Sequence, residues 1–316
     1  MTFQLSEPIL VVGLGGVGIK LATKAKELLK SDCLLISNDQ KDLDFDCKSI
    51  KISTKSVLNP SVQLIRGSAY ADSENIKEEI SKYSTVIILA NLAGRAGTAL
   101  APVVSNLCKE SNKNVLSFAI MPFKFEKDRI FQSGISLKRL REYSGCTIVL
   151  DNDALLDSNP DLSSIACHNI SNDAILNVIG SLATTSIPED TNILSTGKNV
   201  QNVEDSLKDS LRMLYEDAPP SSVKRSILYI LGGDNVPVGV LNSVSNIAGV
   251  FNQENTSVSQ SIGSGQKSKV IMLSSVQGET HFDKYDPLGI IPQEKTLDWE
   301  QPECSINCEF ELYQLE

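Results

Sequence analysis

Along the first half of the chain, short apolar runs alternate with stretches whose apolar residues recur every three or four positions. The runs are Ile9-Leu10-Val11-Val12, Leu34-Leu35-Ile36, Val86-Ile87-Ile88-Leu89, Asn114 to Ile120 and Thr147 to Leu150. A strand that is apolar at successive positions is buried on both faces, the condition of a parallel sheet with helices on either side. Helical periodicity runs from Gly18 through Leu29, from near Pro102 onward, and from about Phe131 to Tyr143. This alternation predicts an α/β fold with a parallel sheet.

The second half reads differently. Asn172 to Ile187 has the pattern of a mainly apolar helix, and Pro188 to Gln201 that of a strand flanked by loops. Val203 to Tyr215 is strongly amphipathic, with Leu207, Leu211 and Leu214 on one face and Asp205, Lys208, Asp209 and Arg212 around the rest. Pro219-Pro220-Ser221-Ser222 breaks it. A strand follows over Ser226 to Leu231, then a Gly232-Gly233 turn, a helix from about Val240 to Phe251, a polar stretch from Asn252 to Lys269, and a strand over Val270 to Leu273. The pattern predicts one domain over residues 1–165, a central helix over 166–188 and a smaller α+β domain over 189–282. The Pro-punctuated segment 283–316 reads as an acidic tail.

Charge and cysteine usage narrow the function classes. The formal net charge is −10, and residues 283–316 carry nine acids against two lysines. An acidic chain with scattered Lys and Arg repels phosphate backbones, so no nucleic-acid partner is expected. No apolar run approaches the roughly 18–20 residues that span a bilayer, so no membrane insertion is expected. Met1 to Pro8 shows no basic segment leading an apolar core, so no secretory signal is expected. The seven cysteines are dispersed, which points to free thiols in a reducing cytoplasm. Cys304 and Cys308 stand four apart without a second ligand pair, so no metal site is predicted. His168 and His281 are the only histidines, and neither has a nucleophile pattern around it. No catalytic residue is therefore assigned.

The first candidate for chemistry is Gly13-Leu14-Gly15-Gly16-Val17-Gly18, between the first apolar run and a helix. Glycines let backbone pass close to a phosphate, and a helix N-terminus aims N–H groups and partial positive charge at it. Asp39 ends the next strand at the spacing from which an acid reaches ribose hydroxyls. Gly13, Gly15, Gly16, Gly18 and Asp39 thus make a Rossmann-like nucleotide-binding pattern. The alternative is a tight strand–helix turn with no ligand. No Gly-Lys-Ser/Thr motif is present, which excludes an ordinary P-loop.

A second loop changes the picture. Asn91-Leu92-Ala93-Gly94-Arg95-Ala96-Gly97-Thr98-Ala99-Leu100-Ala101-Pro102 resembles the GGGTGTG loop and helix start of FtsZ and tubulin. In the same order, Met121-Pro122-Phe123-Lys124-Phe125-Glu126 resembles KPFxFEG, and Thr147 to Asp153 resembles LIVIPND. Asn172-Asp173-Ala174-Ile175-Leu176 resembles NDVL, and Ile230 to Asp234 resembles ITGGPD. Collinearity over about residues 9 to 275 marks the chain as resembling a divergent FtsZ/tubulin superfamily protein. The resemblance implies a GTP or GDP site. Gly13, Gly15, Gly16, Gly18, Gly94, Arg95, Gly97 and Thr98 would surround the phosphates. Glu126 would lie on the ribose side with Arg129 near it, and Asn152 and Asp173 would face guanine. An Asp accepts from the guanine N1–H and N2–H groups, which adenine lacks.

The same comparison shows losses. Ala93, Arg95, Ala96 and Ala99 stand at positions of the GGGTGTG loop, and Val17 stands at a family glycine. Arg95 admits two readings, a bidentate phosphate contact or a side chain filling an empty phosphate site. Arg66-Gly67 matches a family Arg-Gly, but the glycine-rich part after it is absent. FtsZ carries NxDxxD after its central helix, and its carboxylates act on the neighbouring subunit's nucleotide. Here Thr191 to Gly197 resembles the later segment TALMGIG, so that loop and its following helix are missing. Asn202, Glu204 and Asp205 offer a weaker alternative alignment. The resemblance therefore implies a cytoskeletal or scaffold protein whose nucleotide binding is weak or lost and whose hydrolysis is impaired. Its partner would be itself or another FtsZ/tubulin-like protein, with Leu297-Asp298-Trp299 and Phe310 to Tyr313 in the tail as a further peptide-binding segment. The rival readings are an active polymerising GTPase and a Rossmann NAD(P) enzyme.

Overall fold

The computed structural model describes residues 2–55, 59–182, 187–188, 190–198, 203–231, 257–260 and 269–285. The predicted 240–251 helix, most of the 252–269 stretch, Cys304, Cys308 and the tail beyond Tyr285 lie outside the described residues. Chain order is β1 (Thr2–Phe3), β2 (Ile9–Leu14), α1 (Gly15–Leu29), β3 (Asp32–Ser37), β4 (Lys48–Lys51), α2 (Val62–Ala71), α3 (Ser73–Ser81), β5 (Thr85–Asn91) and α4 (Arg95–Glu110). Then come β6 (Asn114–Met121), α5 (Lys127–Tyr143), β7 (Cys146–Asp151), α6 (Asn152–Ser158), α7 (Ser164–Ser181), β8 (Ile187–Pro188) and β9 (Asp190–Thr196). The last are α8 (Val203–Asp217), β10 (Val223–Leu231), β11 (Ser257–Gln260) and β12 (Lys269–Val276), followed by a 3-10 turn at His281–Tyr285.

All the long strands join one sheet in the order β11-β10-β12-β9-β7-β6-β5-β2-β3-β4. From β4 to β7 every pair is parallel, as the continuous apolar runs predict. β9 also pairs in parallel with β7, from Cys146↔Asp190 to Val149↔Ile193. It is followed by antiparallel β12 and β10. The two halves of the chain thus share one sheet.

Side chains alternate between two cores. Leu10, Val12, Val86, Ile88 and Val149 face α2, α3, α4, α5 and α8, while Val11, Ile87, Leu89 and Ile148 face α1, α6 and α7. On α8, Leu207, Leu211 and Leu214 are buried, the face its sequence pattern marks.

Two helices differ from the sequence reading for identifiable reasons. α4 begins at Arg95, about two turns before Pro102, and runs through that proline. Pro102 cannot donate to the Thr98 carbonyl, and the Ser136 hydroxyl on α5 donates to it instead, at 2.8 Å. α7 starts at Ser164 rather than near Asn172, because the Ser163 hydroxyl caps it by accepting from the Ala166 N–H at 3.2 Å. α6 went unread; it is a short helix capped by the Asp151 carboxylate.

The packing of α1 on the sheet depends on Gly18, where a Cβ would lie 2.2 Å from the Leu89 carbonyl oxygen of β5. Gly67, inside α2, has nothing within 4 Å of the equivalent point. Gly18→Ala is expected to destabilise by about 2 kcal/mol or more. Gly67→Ala should stabilise by roughly 0.5–1 kcal/mol through lost unfolded-state entropy. Urea denaturation of both variants checks the contrast, and equal midpoints would show that α1 tolerates displacement from β5.

Candidate functional site

β2 and β5 are neighbours, with Leu14 paired to Ala90, so the two glycine loops leave the sheet side by side. α1 begins at Gly15 and α4 at Arg95, each immediately past its strand or loop. Neither helix has a side-chain cap on its first N–H groups, and neither has an acid in its first turn. Both N-termini open on a pocket of about 570 Å³ lined by Gly15, Gly16, Asp39, Asp42, Gly94, Arg95 and Gly97, among others. Two uncapped helix ends facing one cavity have the chemistry to hold an anion, because orphan N–H donors and both dipoles act on the same point.

Gly15 holds the loops together. Its φ is +66°, and a Cβ there would lie 2.9 Å from the Ala96 Cβ, so the two loops touch with no room for a side chain. The Thr98 hydroxyl is buried within reach of the Leu92 and Gly94 carbonyls, at 2.5 and 2.8 Å, and serves the loop's own backbone. Arg95 is exposed, makes no ion pair among the described residues, and lines both this pocket and an adjoining one of about 290 Å³. Thr98 and Arg129 line the second pocket too. Gly13 and Gly18 lie behind, in the α1–sheet packing.

Asp39 caps the 3-10 turn Gln40–Leu43, accepting from the Lys41 N–H at 3.0 Å. Asp42, on the same turn, was not singled out from the sequence. Its carboxylate accepts from the Ser37 hydroxyl at 2.7 Å, and its other oxygen lies 2.7 Å from where a Gly16 Cβ would be. The signal was its spacing: three residues is one turn of a 3-10 helix, so Asp42 lies on the Asp39 side. An acid therefore sits at the positive end of α1.

The remaining residues lie elsewhere. Glu126 pairs with Arg129 at 2.5 Å and accepts from the Phe123 N–H at 3.2 Å. Asn152 is fully buried; its amide donates to the Met121 carbonyl at 3.4 Å, and its oxygen accepts from the Ser171 hydroxyl at 2.7 Å. Asp173 is exposed on α7, and its charge partly offsets the burial that lowers the Lys269 pKa to about 8. None of Glu126, Asn152 or Asp173 lines the larger pocket.

Past α7 the chain reaches β9 within eight residues, two of which form β8. A loop followed by a helix does not fit that span. Glu204 and Asp205 begin α8, which follows β9 rather than preceding it, and Asn202 lies outside the described residues. Among the described residues no helix is long and apolar enough to cross a membrane.

Residues 8–160 match the Tubulin/FtsZ family, GTPase domain. Cell division protein FtsZ 2 of Halobacterium salinarum is 31% identical over 166 residues, covering 49% of this chain and 41% of that protein. The match thus spans about two fifths of that relative. FtsZ 2 of Methanocaldococcus jannaschii is 23% identical over 269 residues, 75% of this chain and 70% of the relative. The fold is similar to an FtsZ dimer structure from M. jannaschii, with a TM-score of 0.72 at 17% identity, covering 89% of this chain and 92% of that one.

Asp42→Asn should strengthen pyrophosphate binding about fivefold, the effect of about 1 kcal/mol of like-charge repulsion removed at a partly screened site. Calorimetry at low ionic strength reads this directly, and unchanged affinity would place the bound anion away from Gly16.

Proposed function

Because this chain belongs to the FtsZ/tubulin superfamily, we propose that it is a cytoskeletal or scaffold protein that holds a guanine nucleotide weakly and does not hydrolyse it efficiently. The observation that carries this reading is the eight-residue passage from α7 to β9. It leaves no place for an NxDxxD loop. Phosphoryl transfer then lacks a carboxylate to orient the attacking water, and that positioning is most of what such sites contribute.

The two uncapped helix ends support retained phosphate affinity. Of the two readings of Arg95, its exposed position with no ion pair among the described residues supports the phosphate contact. The second glycine loop supports a phosphate site of this family over a dinucleotide oxidoreductase, which needs only the first loop. Asn152 and Asp173 lie off the pocket and supply little base recognition in this arrangement. The proposed assembly partner is a second copy or another FtsZ/tubulin-like chain, and the acidic tail supplies a peptide for a further partner.

GTP and GDP should bind with micromolar or weaker Kd, and Arg95→Ala should weaken GDP about tenfold by removing one charge-assisted contact. Phosphate release should stay slow and proportional to protein concentration. A specific rate that climbs steeply with concentration would mean that neighbouring subunits complete an active site, and the reading would fail.

A further inference from the structure

A second polar cluster lies apart from the glycine loops. Asp151 ends β7, Asp217 ends α8, and His281 begins the turn His281–Tyr285. One donor atom from each lies within 4.8 Å of the other two. Asp151 and Asp217 are each only 1% exposed. Burying carboxylates costs several kcal/mol per charge unless a cation or donors compensate.

The cations nearby are engaged elsewhere. Lys124 bridges Asp153 and Asp157 at 2.7 and 2.6 Å, and Arg141 pairs with Asp283 at 2.9 Å. Asp151 accepts from the Asp153 N–H at 2.9 Å, and Asp217 faces Asp151 closely enough to share a proton with it but has no other hydrogen-bond partner. The Tyr285 hydroxyl, in the field of the same carboxylates, is also buried without a partner. Burial pushes both carboxyl pKa values up, Asp151 to about 7, and the facing Asp151 raises Asp217 further.

We propose that Asp151, Asp217 and His281 bind a divalent transition-metal cation, with zinc the best match. A tetrahedral ion with bonds of about 2.1 Å holds its donors about 3.4 Å apart, within about an ångström and a half of the present spacing. Two carboxylates neutralise the ion, and the imidazole favours zinc over magnesium or calcium, which take all-oxygen sets. The buried Tyr285 hydroxyl would gain a partner if the bound ion drew a carboxylate oxygen toward it, as groups behind metal ligands do. Asp217 and His281 line a groove of about 920 Å³ through which an ion reaches the cluster. The ion would tie the end of β7 to α8 and to the turn beyond β12.

The test uses the full chain, freed of metal by chelator and titrated with zinc chloride by calorimetry and thermal melting. One zinc per chain and a melting temperature raised by several degrees are expected. Asp217→Asn should weaken zinc at least a hundredfold, and His281→Ala at least tenfold. Without metal, Asp217→Asn should melt no lower than the parent, since it removes a buried charge. Should it fail to fold, the half-exposed His281 variant decides the matter. Zinc binding unchanged in His281→Ala, or abolished only by Cys304→Ser with Cys308→Ser, would overturn the proposal.

Discussion

Parallel pairing of β9 with β7 is the constraint on which the arrangement rests. Without it, β7 would expose an unpaired edge of N–H and C=O groups, and the last strands would need a separate core. With it, β12 and β10 extend the same sheet, and α8 packs across β9 and β12. The end of α8 then arrives beside the end of β7. The same short passage that permits this pairing is the one on which the proposed loss of hydrolysis rests. One change of length therefore accounts for both the continuous sheet and the proposed loss of hydrolysis.

The fold was legible where physical signals are local. Ile9–Leu14, Thr85–Asn91 and Cys146–Asp151 are buried on both faces, and that condition is written directly in their apolar runs. The face of α8 followed from period alone. Helix starts were less legible when they depended on a remote partner. Pro102 reads as a helix beginning, and only the hydroxyl of Ser136, far along the chain, lets α4 run through it. The Ser163 cap was a local signal, passed over because the apolar period strengthens only after Asn172.

The glycine loops were likewise local, since a positive φ at Gly15 and close approach at Gly18 leave residues that only glycine satisfies. Asp42 and the Asp151–Asp217–His281 cluster were not. Their chemistry arises from three segments meeting at strand and helix ends, and no spacing in the sequence announces it. Asn152 is the converse case: its motif is intact, yet the Ser171 hydroxyl and the Met121 carbonyl occupy its amide.

An uninterrupted sheet also has mechanical meaning. Rotating one half of this molecule against the other would break the β7–β9 ladder, at about 1 kcal/mol net for each hydrogen bond. It would also uncover Ile148 and Ile193, both buried in that seam. Among the described residues, the seam between the halves is thus a continuous ladder rather than a hinge. A body of this kind passes bending and tension straight through itself, and a response to a phosphate at the glycine loops would be confined to the loops at the strand ends.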